Sequence, residues 1–330
     1  MQVIACQALE RLATNAGANV KFAVRDGIEV LLKVMEIHEE IHAVQECACR
    51  VLRHLARGHD GQYRIVSLGG ITRIITAMVK HQDEAKMQEC ACVALWALAA
   101  HSDNRHRIGE AGGIQLIMRA QQKHRQANTL QLFASMALEK LAHVHDNTDK
   151  IIQLQGIEHV VKTMHDNAGN TDLLYSAFET LGLLAHSADN QIKVGAAGGI
   201  EGIIAAMRSH GGSAQLQVSG CGVLWTLAQN TTNVNRIIKA GGIECIVSAM
   251  DIHAALQHVQ TQACRALWLL ADTYLTDTHH TDSHPVQETR VDTGMESILA
   301  AGHTHKYMTN GALCVRHCVG TGAKEQYICA

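Results

Sequence analysis

"CVALWALAAHSDNRHRIGEAGGI", residues 92–114, and "CGVLWTLAQNTTNVNRIIKAGGI", residues 221–243, are two versions of one unit. Each holds small residues and leucines around a Trp, then a polar stretch, then Gly-Gly-Ile. The second glycine of the first stretch is Gly113. Gly27, Gly70, Gly156, Gly199 and Gly242 share its register, at a constant step of 43 positions (70 − 27 = 43), and each is followed by isoleucine. Two further combs keep that step. One is Leu9, Leu52, Leu95, Leu138, Leu181, Leu224 and Leu267; the other is Ala13, Ala56, Ala99, Ala142, Ala185, Ala228 and Ala271. A fixed period of this size is the mark of a repeat architecture.

Each unit reads as three helices. "NRHRIGEA" is a short first helix, and Gly112-Gly113 ends it, because glycine reaches the left-handed backbone that turns the chain. "IQLIMRAQQKH" is the second, with Ile114, Ile117 and Met118 on one face. "TLQLFASMALEKLA" is the third; Leu130, Ala134, Leu138 and Leu141 form its buried stripe. The position of Ala134 is small in every copy (Ala5, Ala48, Ala91, Ala177, Gly220, Ala263), which allows a neighbouring helix to approach closely. One unit cannot bury its apolar face alone, but stacked units can.

Composition agrees with this reading. The 330 residues are 47% hydrophobic but 3% aromatic, with one proline, Pro285. That suits close-packed helices better than a sheet. A net charge of −3 gives no basic excess for nucleic acid. No apolar run reaches membrane-spanning length, and "MQVIACQALERLA" lacks the cationic start of a signal peptide. The 11 cysteines are odd in number and spread through helical segments, which reads as reduced, buried thiols in a cytoplasmic or nuclear protein.

The period, the three-helix plan and the "GGI…L…LA" pattern resemble the armadillo repeat family. The "AM…H…VQ…AC…LW.LA" flavour is also similar to the armadillo arrays of protist proteins and of leucine-rich-repeat kinases. The resemblance implies an all-α, right-handed superhelical solenoid over residues 1–272, made of a partial repeat at 1–14 and six 43-residue repeats. The polar segment 273–293 reads as a loop. Residues 294–330 read as a degenerate eighth repeat or a disordered tail. A protein-interaction scaffold is the implied function, with a regulatory segment of a larger multidomain protein, such as a leucine-rich-repeat kinase, as the alternative.

The resemblance places the third helices along a concave groove that would hold a protein or peptide partner. On a helical wheel the residues pointing away from the core stripe are Arg50, Arg53, His54 and Arg57; Val93 and Trp96; Met136, Glu139 and Lys140; Glu179; Trp225; and Arg265 and Trp268. Mixed charge and aromatic contacts of this kind suit an extended or helical peptide. The three Trp share one register and read equally as contact residues or as packing between adjacent third helices. Armadillo importers of nuclear cargo carry an Asn ladder where this chain has Arg11, His54, Ala97, Lys140, Leu183, Thr226 and Leu269, so a nuclear-signal receptor is not expected.

No catalytic constellation stands out, and an enzyme is not expected. "GEAGGI" and "GAAGGI" lack the preceding strand and the Gly-Lys-Ser/Thr of a phosphate loop. His38, His81, His124, His210 and His253 form a comb at the ends of second helices, which reads as helix C-terminal capping. Repeats ~10 Å apart are too far apart to share one zinc ion, whose bonds to nitrogen are ~2.1 Å. The Cys comb (Cys6, Cys49, Cys92, Cys221, Cys264) is excluded as disulfides on the same spacing. The tail cluster of His279, His280, His284, His303, His305, Cys314, His317 and Cys318 matches no firm ligand spacing. No metal, cofactor, nucleic acid or membrane is expected, and the chain reads as a monomer.

Overall fold

The computed structural model describes the backbone of residues 26–278 and the side chains of residues 26–272. The first helix of repeat 1, the segment 279–330 and its His/Cys cluster lie outside the described residues. Among the described residues every regular element is a helix. Contacts divide the chain into two units, Met1–Leu184 and Ala185–Ala330.

The first unit contains α1 (Gly27–Ile37) and α2 (His42–Leu55) of repeat 1. It continues with α3 (His59–Ser67), α4 (Gly70–Lys80) and α5 (Ala85–Leu98), then α6 (Ser102–Glu110), α7 (Gly113–Lys123) and α8 (Asn128–Ala142), then α9 (His145–Gln153), α10 (Gly156–Asp166) and α11 (Thr171–Leu184). The second contains α12 (Ala188–Ala196), α13 (Gly199–Ser209) and α14 (Ala214–Leu227), then α15 (Thr231–Lys239), α16 (Gly242–Ile252) and α17 (Gln257–Thr278). The last helix runs past the expected boundary at 272; no Gly or Pro interrupts it.

The two glycines of each Gly-Gly pair do different work. The first, at Gly69, Gly112, Gly198 and Gly241, has φ of +74° to +84° and turns the chain between first and second helix. Asp26 and Gln155 hold the same left-handed position at φ 59°. The second glycine has helical φ but no room. A β-carbon on Gly113 would stand 2.6 Å from Ile108 Cγ2, and one on Gly242 would stand 2.5 Å from Ile237 Cγ2. It is therefore a close-approach glycine, letting the second helix cross tightly over an isoleucine of the first.

The leucine comb is the core. Leu52, Leu95, Leu181 and Leu224 are fully buried, and Leu138 and Leu267 nearly so. The small comb explains itself at Gly220, where a β-carbon would press on Met207 Sδ at 2.5 Å.

Polar combs that the hydrophobic pattern does not announce tie the helices together. Gln45 Nε2 donates to Met35 O and His38 O; Gln88, Gln217 and Gln260 repeat this with Met78/His81, Met207/His210 and Met250/His253 at 2.8–3.1 Å. One glutamine per third helix thus satisfies two carbonyls left open at the end of the second helix. Repeat 4 has Leu174 there, and Asn167 Nδ2 donates to Thr163 O instead.

The His comb corrects the capping expectation. At helix ends it is the histidine backbone N–H that caps, as in His81 N to Ala77 O at 3.0 Å. The ring reaches into the preceding repeat: His81 Nε2 donates to Glu39 O (2.7 Å), His124 Nε2 to Gln82 O (2.9 Å) and His253 Nε2 to Gly211 O (2.7 Å). These rings are straps between successive repeats.

Candidate functional site

In the first unit the third-helix residues form a graded surface. On α2, Arg50 is half-buried and ion-paired to Glu46 at 2.8 Å. Arg53 and His54 are half-buried, and Arg57 is exposed. The guanidinium groups of Arg53 and Arg57, one turn apart, have no carboxylate partner among the described residues. On α5, Trp96 is half-buried and its ring lies 5.2 Å from that of Phe133 on α8, tilted by 60°. Phe133 is the residue that the wheel overlooked; the signal was an aromatic where the other described repeats carry Cys, Ser or Gln.

Two candidates fall off the accessible surface. Val93 is 4% exposed, covered within the stacked third helices, and Glu139 is 7% exposed. Glu139 is anchored rather than offered: Ser176 Oγ donates to its Oε2 at 3.2 Å and Lys140 Nζ lies 3.0 Å from Oε1. Met136, Lys140 and Glu179 remain half-buried.

In the second unit, Arg265 of α17 stacks its guanidinium 4.2 Å from the centroid of the Trp225 ring on α14. Arg265 is exposed and Trp225 half-buried. Trp268 is 43% exposed, a large aromatic surface left to solvent. The three Trp thus divide: Trp96 and Trp225 are engaged by the next third helix, and Trp268 is presented outward.

The described cysteines Cys47, Cys49, Cys90, Cys92, Cys221, Cys245 and Cys264 are buried, and none forms a disulfide with another described residue. Burial pushes the thiols of Cys90, Cys92 and Cys221 up to about 12. Such thiols stay protonated and are poor nucleophiles and metal ligands.

A polar seam lies between repeats 3 and 4. His159 Nε2 donates to Gln121 Oε1 at 2.8 Å, and Gln121 Nε2 donates to Ser135 Oγ at 3.0 Å. Gln121, Ser135, His159, Thr163 and Thr180 line a small cavity there. Most other repeats carry Met at the position of Gln121.

This arrangement is that of an armadillo-type α-solenoid, and the chain belongs to the LRRK2 ARM repeat family, which it matches over residues 2–295. Among solved structures it is similar to two engineered proteins. One is 22% identical with a TM-score of 0.64, covering 75% of this chain and 97% of that one. The other is 18% identical with a TM-score of 0.63, covering 97% and 95%. A structure from work on the phosphorylation-controlled interaction of cadherin and beta-catenin is 16% identical, with a TM-score of 0.57, covering 95% of this chain and 65% of that one. No curated protein sequence matches the chain. No described helix is long and apolar enough to cross a membrane.

Proposed function

We propose that the chain is a protein-interaction scaffold that holds a peptide or protein along its third-helix face, by distributed contacts and without chemistry. The observation that carries this is the pairing of Arg53, near the end of α2, with Arg57, in the turn just past it. Two like charges one turn apart repel, and no carboxylate of the described residues relieves them. Trp96, in the register of Arg53 on the next third helix, adds apolar area beside them. Arginine and tryptophan with this partial exposure are the residue types that concentrate binding energy. Buried thiols spread through the helices suit a reducing cytoplasmic setting, and the monomer is the form this reading uses.

The test is affinity capture with three proteins of equal helicity: the native chain, an Arg53→Glu/Arg57→Glu variant, and a Lys33→Glu control on the second helix α1. A partner retained by the control and lost from the arginine variant supports the third-helix face. Equal capture by all three overturns it. The family match favours one second reading, that this array regulates a larger multidomain protein of the leucine-rich-repeat kinase type; there the partner would be a segment of that same protein.

A further inference from the structure

The small cavity between repeats 3 and 4 is lined by hydrogen-bonding side chains at positions that the other described repeats keep free of them. Gln121 takes a register that is methionine in every other described repeat, and Ser135 one that is cysteine or phenylalanine. Thr163 and Thr180 each take a register that is alanine or valine. Two of these exchanges lie in repeat 3 and two in repeat 4, and all four line the same cavity. The four residues are only 1–7% exposed. Burying an amide or hydroxyl is costly unless it finds a hydrogen bond, so four such groups gathered at one buried point need partners there.

Two hydrogen-bonded groups of side chains end at the cavity. In the first, His159 Nε2 donates to Gln121 Oε1, and Gln121 Nε2 donates to Ser135 Oγ. In the second, Thr180 Oγ1 donates to Ser176 O at 2.7 Å, and Ser176 Oγ holds Glu139 beside Lys140. Bonding capacity is left over between them. The Ser135 hydroxyl hydrogen meets no acceptor among the described residues, and Thr163 Oγ1 hydrogen-bonds to none of them. Thr180 Oγ1 keeps its lone pairs. The cavity measures about 10 Å³, room for a single water molecule. No carboxylate lines it, which suits a neutral guest better than a cation.

We propose that this cavity is a binding site for one water molecule, and that the water joins the two groups. It accepts from the hydroxyls of Ser135 and Thr163 and donates to Thr180 Oγ1. That is one bond to each of three helices, α8, α10 and α11, and three is the usual number for a buried water. With the water in place, hydrogen bonds tie repeat 3 to repeat 4 from His159 on α10 through to Lys140 on the face of α8.

The experiment counts long-lived waters in the full chain by oxygen-17 relaxation dispersion. The comparison is a Thr163→Val/Thr180→Val variant. It keeps the side-chain shape, removes both hydroxyls, and places residues that the chain already holds in these registers at Val34, Val51 and Val223. One fewer long-lived water in the variant is the expected result; an equal count overturns the proposal. A second measurement reads the coupling that the water creates. Ser135 and Thr180 share no direct hydrogen bond. The unfolding constants of Ser135→Ala, Thr180→Val and the double variant should nevertheless depart from independent effects by about fivefold or more, the scale for groups in one network. Independent effects would overturn the proposal as well.

Discussion

Asn147 Oδ1 occupies the space where a β-carbon of Gly109 would stand. The asparagine belongs to α9 and the glycine to α6, the first helix of the preceding repeat. Asn147 Nδ2 donates to Arg105 O at 2.9 Å and to Leu141 O at 3.1 Å, so its amide is clamped by two backbones while Oδ1 takes no conventional hydrogen bond. That leaves the Gly109 α-carbon as the neighbour of Oδ1, a Cα–H···O contact. Asn233 and Gly195 reproduce the arrangement in the second unit, with Asn233 Nδ2 donating to Gln191 O at 2.8 Å.

Gly109→Ala and Gly195→Ala are therefore expected to destabilise the fold by about 2–3 kcal/mol each, the scale of overpacking a rigid core. Gly58→Ala, where nothing lies within 4 Å of the added carbon, is the matched control and should stay near neutral. Urea unfolding of the three variants checks this. Comparable losses in all three would refute the close-contact account.

Gln88→Leu removes the donor for Met78 O and His81 O. Two buried acceptors at the end of α4 then lose their partner, and the expected cost is about 1–3 kcal/mol, the desolvation penalty of an unmade bond. Leucine is apolar and of similar size, so a cavity is not the cause. Thermal unfolding gives the number, and amide exchange should place the loosening at the end of α4.

Burial lowers the His159 ring from 6.5 to about 4. Its folded value lies below the unfolded one, so the folded state binds fewer protons in that range. The contribution of the neutral ring is fully present above pH 6.5 and is lost as pH falls toward 4, a change of about 3 kcal/mol. His159→Leu, the residue type repeat 3 carries in this register at Leu116, should flatten that part of the stability profile. An unchanged slope between pH 6.5 and 4 would show that other groups set the acid sensitivity.

Arg265→Ala uncovers the face of Trp225. The cation–π contact at a partly exposed site is worth about 0.5–1 kcal/mol, so stability should change little. The tryptophan emission should shift to the red and iodide quenching should rise. Emission identical to the native chain would mean that Trp225 is shielded by something other than the guanidinium.

The glycine, leucine and alanine combs made the helix plan legible in the sequence, because steric and apolar demands recur at fixed positions regardless of partner. Polar residues did not reveal their partners in this way, and even the histidine comb, visible by its period, did not show where its rings bond. Gln45, Asn147 and His81 each look like surface residues on their own helix, and their work depends on backbone acceptors that only the fold brings near. The wheel misplaced Glu139 and Val93 for a related reason. It reports direction relative to one helix's core stripe and is blind to what the neighbouring third helix covers, such as Ser176 reaching back to Glu139. Trp225 was legible as an outward residue, but its lid, Arg265, lies one repeat on and was read as an independent contact.

The histidine straps have a further consequence. Each runs from one repeat to the turn of the repeat before it (81 − 39, 124 − 82 and 253 − 211 are all 42), and the chain asks nothing of more distant partners in making them. Wiring of that kind has no fixed total length. A whole unit can be duplicated or deleted during evolution and every strap still finds its acceptor, whereas a gain or loss of a few residues inside a unit breaks two joints at once. The fold thus makes the number of repeats easy to vary and the length of each repeat hard to vary.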